Sequence, residues 1–213
     1  MAGLYEERLN RSAIDAPAAG SNSQIEFPAD RGKIHQAIAV LSLLGAPATE
    51  AEIKTHIPQV TLNLSGDDYS IYKTDDVFML DRFYGEPFTP GELPLRFSQE
   101  IRRTIEEAEA TAFIPGAFVN PYLMYEYDAT LPANATLKQL LITEGIGQQN
   151  RQTLAAQPAR GVNHLIKHYR KTINILTSGA GNPNTYRFDA RADKIRALHF
   201  KGANITEIKI LVD

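Results

Sequence analysis

The sequence predicts an all-β fold, a sandwich or a barrel, and three observations lead to it. Short segments in which apolar and polar residues alternate recur along the chain. Turn signals rich in Gly, Pro, Asn and Asp separate them. Few stretches hold a helical period long enough to compete. The 213 residues suffice for one large domain or two small ones.

Residues 1–23 read as an N-terminal arm. Residues 16–23 are small and polar without an apolar period, and residues 4–9 have the composition for a helical turn or two on a partner surface. A first β-sandwich is expected over 24–146. It begins with 33–44, where Ile34, Ala37, Ile38 and Leu41 fit a helical face as well as a buried strand. Turn signals at Pro28, Gly32 and Gly45-Ala46-Pro47 favour the strand.

The stretch 57–85 is the clearest unit in the chain. Val60, Leu62 and Leu64 alternate with polar residues, Ser65-Gly66-Asp67-Asp68 suits a tight reversal, and residues 69–72 supply a return strand. Thr74 suits an N-cap, Asp75 and Asp76 complement the positive end of a helix, and Gly85 suits its C-cap. The prediction is strand, turn, strand, short helix. Residues 93–97 alternate next, with Pro94 at a sheet edge or a bulge. Residues 98–112 carry Ile101, Ile105 and Ala108 at helical spacing after Ser98, or form a long ordered loop. Residues 122–128 read as a strand with Leu123, Tyr125 and Tyr127 on one face, and 137–143 as another. A polar linker is expected over 147–161, and a second, partial β-sandwich over 162–213.

No apolar run approaches the roughly 20 residues that span a bilayer as a helix. The acidic beginning, Met1-Ala2-Gly3-Leu4-Tyr5-Glu6-Glu7, lacks the apolar core of a secretory signal. Without cysteine there is neither a disulfide nor a thiolate metal site, which fits a cytoplasmic origin. The net charge of -3 conceals an asymmetry: residues 148–213 hold 11 of the 22 Lys+Arg but 4 of the 25 Asp+Glu. Lys167, Arg170, Lys171, Arg187, Arg191, Lys194 and Arg196 therefore face either genome or anionic lipid, or an acidic surface of another subunit. The second reading is preferred, because the aromatic interleaving of a nucleic-acid surface is missing.

No constellation points to catalysis. There is no Gly-x-Ser-x-Gly elbow, Thr177-Ser178-Gly179 reads as a turn, Gly145-Ile146-Gly147 lacks the third glycine of a dinucleotide loop, and no P-loop is present. His164 and His168 have a metal-capable spacing but no accompanying glutamate motif, and Glu106, Glu107 and Glu109 read as a solvated helix face. Asp67, Asp68, Asp75 and Asp76 are weak calcium candidates, and turn formation and helix capping explain all four better. Tyr122, Tyr125 and Tyr127 suit a sugar site or an interface, though packing explains them better. No catalytic residue and no cofactor are expected.

An internal echo adds to this. Ile57, Val60, Leu62 and Leu64 share their spacing with Ile205, Ile208, Ile210 and Val212, at a constant offset of 148 residues. That is about the length of one β-sandwich domain. With Gly66, the Phe83-Tyr84-Gly85 that closes a short helix, residues 91–97, and the recurrence over 194–213, the layout resembles the double jelly-roll major capsid proteins of membrane-containing icosahedral bacteriophages, of the corticovirus type. The resemblance covers roughly residues 25–213. It implies tandem eight-stranded jelly-roll β-sandwiches with short helices in loops; the sequence departs from that, since the residues after Gly147 are too few for eight strands, and the second sandwich is expected to be incomplete. It further implies homotrimers of pseudo-hexagonal outline that assemble into a shell around a membrane. The arm or the basic part would touch that membrane, and no nucleic-acid sequence would be read. Calcium between subunits fits such shells. The expected place is the virion capsid, after synthesis in the host cytoplasm. The alternative is a carbohydrate- or receptor-binding β-sandwich module whose loop aromatics hold sugar; an all-β hydrolase ranks last.

Overall fold

The computed structural model describes residues 6–15, 17–28, 33–97 and 112–144, with the backbone alone at 6–15 and 144. Among the described residues nine strands form two antiparallel sheets: β1 (Glu6–Asp15), β2 (Asn22–Glu26), β3 (Ile34–Leu43), β4 (Ala46–Pro47), β5 (Gln59–Leu64), β6 (Asp67–Lys73), β7 (Glu92–Arg96), β8 (Tyr122–Glu126) and β9 (Thr136–Glu144). Two α-helices interrupt them, α1 (Glu50–His56) and α2 (Thr74–Tyr84), with a 3-10 turn at Pro115–Ala117. One sheet has the order β1-β9-β3, with β7 and the two-residue β4 sharing the far edge of β3. The other has the order β2-β8-β5-β6. Set β4 aside, and the eight remaining strands, four per sheet and joined by sheet-to-sheet crossings, make a jelly roll.

The core lies between the sheets and follows from alternation. The inward residues of β3, Ala37, Ala39, Leu41 and Leu43, meet Val60, Leu62 and Leu64 of β5, Leu123 and Tyr125 of β8, and Leu137 and Leu141 of β9 in one buried cluster. Each large aliphatic side chain so buried contributes roughly 1.5–3 kcal/mol. At one end of the sandwich the rings of Phe27, Phe97 and Phe113 meet edge-on or tilted, with centroids 4.9–5.9 Å apart. At that end the Ser65 hydroxyl accepts from the Val119 amide, and β3 begins in a bridge with Phe113. The opposite end carries both helices. There Gly91 N–H donates to Ala48, Asp128 N–H to His56 and Gly20 N–H to Asp128, which binds the connecting segments together. Gly91 has φ +84°, and an added Cβ would sit 3.1 Å from the Leu41 carbonyl oxygen, so glycine is required at this crossing.

The strand, turn, strand, helix order over 57–85 is as the sequence predicts, as are β3, β7, β8 and β9. Pro94 sits on β7 at a sheet edge, where its missing N–H costs no ladder bond. Three expectations change. Residues 6–15, read as part of an arm with a helical turn, are strand β1, paired along its length with β9. Main-chain pairing needs no side-chain alternation, which is why the pattern gave no sign of it. Thr74 is the first residue of α2 and not its N-cap; Lys73 occupies the cap without a side-chain bond, and the Thr74 hydroxyl donates instead to the Ile57 carbonyl. Helix α1 was not anticipated at all. Gly85 does close α2, in the left-handed conformation at φ 77°. Nearly all of 98–112, the linker 147–161 and the second sandwich 162–213 lie outside the described residues, as do Gly145, Glu106, Glu107, Glu109, His164, His168 and the basic residues from Lys167 to Arg196.

Candidate functional site

The acidic turns do not form one site. Asp67 and Asp68 stand at the tip of the β5–β6 hairpin, and Asp75 and Asp76 in the first turn of α2. Residues 69–73 of β6, followed by Thr74, separate the pairs, roughly 17 Å of strand. Each pair has a local role. Asp68 accepts a 3.0 Å hydrogen bond from Asn63, whose own side-chain oxygen accepts from Gly66 N–H and shapes the turn. Asp75 lies 3.0 Å from Lys54 of α1 and complements the helix dipole with Asp76. Among the described residues no group of three or more His, Cys, Asp or Glu is disposed to hold a metal ion.

The helical end is held by charge. Glu50 of α1 meets Lys54 at 2.8 Å and also pairs with Arg82 of α2. Lys54, and after it Arg82, hold the Glu50 carboxyl below the usual glutamate range. Glu50 in turn raises Lys54. The Lys54 ammonium also sits 5.8 Å from the centre of the Phe78 ring. Thr49 caps α1 in a reciprocal box: its hydroxyl accepts from Glu52 N–H while the Glu52 carboxylate accepts from Thr49 N–H at 2.7 Å. Arg96 of β7 ties to Asp81 of α2 at 3.1 Å.

Two of the three tyrosines, Tyr125 and Tyr127, belong to the core. Tyr125 is fully buried and donates a 2.8 Å hydrogen bond to the side-chain oxygen of buried Gln139, across the sandwich from β8 to β9. Burial, and then the neighbouring Tyr127, push the Tyr125 phenol well above its ordinary pKa. Tyr127 is buried too. Neither of these two rings is available to a sugar, whereas Tyr122 is half-buried on the outward side of β8.

The outward faces of the two sheets differ. On the β1-β9-β3-β7 sheet, Ile38 stands in register with Pro94 and Leu140, Gln36 with Arg96 and Ile142, and Val40 with Glu92 and Lys138. Ile38, although 3% exposed, is not part of the core cluster, as its position between inward Ala37 and Ala39 requires. Pro94, Val40, Leu140 and Ile142 are half-buried and Lys138 is exposed. On the β2-β8-β5-β6 sheet the central outward row is Gln24, Met124, Thr61 and Ile71. Polar rows flank it: Glu26, Tyr122, Asn63 and Asp68 on one side, and Asn22, Glu126, Gln59 and Lys73 on the other. Gln59 donates to Glu126 at 2.7 Å. Sequence reasoning did not single out these faces. The signal was present in the doubled apolar run of β9, where Leu140 and Leu141 point to opposite sides.

No family model matches the chain, and no curated protein sequence matches it. Among solved structures, the fold is similar to the major capsid protein P2 from bacteriophage PM2, with a TM-score of 0.52 and 17% identity over 67% of this chain and 52% of that one. The PBCV-1 virus capsid gives 0.46 and 11% identity, over 72% of this chain and 45% of that chain. The STIV MCP gives 0.45 and 15% identity, over 75% and 54%. The chain spans about half the length of these capsid chains.

Proposed function

We propose that the chain is a structural subunit of an icosahedral virus capsid, acting by self-assembly and not by chemistry. The observation that carries this reading is the strand order, β1-β9-β3-β7 against β2-β8-β5-β6, shared in fold with the PM2 capsid protein P2. The finer reading is of pseudo-hexagonal homotrimers around a membrane, with a second, partial sandwich over 162–213 and its basic residues toward acidic surface or anionic lipid. It is supported by the 148-residue echo and by the charge asymmetry of the two parts. No cofactor enters it. Native mass spectrometry with negative-stain imaging tests it. Trimers of hexagonal outline are expected, and a stable monomer that binds glycans would overturn it.

A further inference from the structure

We infer that a water molecule is bound inside the sandwich, held between the Gln139 amide nitrogen and the Tyr125 phenol oxygen, with the Tyr127 hydroxyl beside it. Gln139 is 0% exposed, and Tyr125 of the other sheet donates to its side-chain oxygen at 2.8 Å. The amide nitrogen, with its two N–H groups, has no protein acceptor. Interchanging the two ends of the amide does not help. The nitrogen would then donate to Tyr125, and the amide oxygen and the phenol hydrogen would both go unmet. Buried polar groups in this position are met by ordered water.

The partners are at hand. The Tyr125 oxygen gives its hydrogen to Gln139 and keeps lone pairs free to accept. The amide nitrogen and oxygen share one carbon, so one water can touch both the nitrogen and the phenol oxygen. It accepts from the amide N–H and donates to Tyr125. Tyr127, two residues along the same face of β8, is 5% exposed, and its hydroxyl also has no protein partner. After burial, Tyr127 is what raises the Tyr125 phenol, so the two phenols lie near each other. Burial raises the Tyr127 phenol and the Ser23 side chain draws it part of the way back, so Ser23 stands near without reaching hydrogen-bond distance. With Tyr127 the water has three partners, the usual number for a buried one. Room comes from β3, where the residue in register with Gln139 is Ala39, inward and no larger than a methyl group. On the other side β1 places Arg11 in register with Gln139. A guanidinium carries donors only and cannot answer an N–H.

The full chain tests this in two ways. A high-resolution crystal structure of the wild type is expected to show a water within hydrogen-bond distance of both the Gln139 amide nitrogen and the Tyr125 oxygen. Magnetic relaxation dispersion of the water oxygen nucleus counts internal waters that exchange slowly. It is expected to report one such water fewer in Gln139→Leu and in Tyr125→Phe than in the wild type, since each variant removes one of the two anchors. Where Gln139→Leu fails to fold, Gln139→Met, close in length and without the amide, takes its place. A dry amide nitrogen in the wild-type crystal would overturn the inference. So would a protein acceptor on that nitrogen, such as the Ser12 hydroxyl of β1, or an unchanged water count in either variant.

Discussion

The bond between Tyr125 and Gln139 shows how much hangs on single buried polar groups. Both residues are fully buried, and the Gln139 side-chain nitrogen has no hydrogen-bond partner among the described residues. Tyr125→Phe leaves both polar atoms of the amide unmet, and it is expected to lower stability by about 1–3 kcal/mol. Gln139→Leu strands the phenol at a similar cost. The double variant removes both partners and is expected to lie closer to wild type than the two losses summed, since replacing a buried polar pair by apolar groups is close to neutral. Urea titrations of the four proteins check this, and additive losses would contradict it. The same strand shows why the site was hard to read. Inward positions 137, 139, 141 and 143 are Leu, Gln, Leu and Thr, while outward 138, 140 and 142 are Lys, Leu and Ile. Neither phase is clearly the apolar one, so alternation could locate β9 without saying which side faces the core.

At the level of elements, the legible parts were those whose local pattern and tertiary role agree. β5, β6 and α2 carry alternation, a glycine turn and a glycine cap, and the fold uses each of them. α1 was legible in principle: Thr49-Glu50-Ala51-Glu52 is a capping-box signature before Ile53, hidden by the brevity of a seven-residue helix. Thr49→Ala removes that box and is expected to cost about 1 kcal/mol. For a chain of this size that lowers the melting midpoint by roughly 2–4 °C. Differential scanning calorimetry reads the shift, and no change would mean that packing of Ile53 alone sets the helix. β1 was illegible for a different reason. An edge strand held by its main chain needs a partner, and β9 lies some 130 residues further along.

For the whole molecule, acid is the expected weakness. Glu50, Glu52 and Asp128 are all held below their ordinary pKa, through Lys54, through Thr49 and through Thr130 respectively. A carboxyl whose folded pKa is depressed lends its full stability above the unfolded value, about 4. That stability is lost as the pH falls through the lower folded value. Melting temperature is therefore expected to hold down to about pH 5 and to fall below it. Glu50→Gln is expected to melt lower at neutral pH and to converge on wild type in acid. A constant gap at every pH would show that shape, and not charge, joins α1 to α2.

The position of β9 between β1 and β3 also sets a timetable. β1 and β3 are made early and do not pair with each other in the fold; each takes residues 136–144 as its neighbour. Contacts so distant in sequence make folding slow. During synthesis the sheet must stay open until its middle strand emerges, and only then does its outward surface exist.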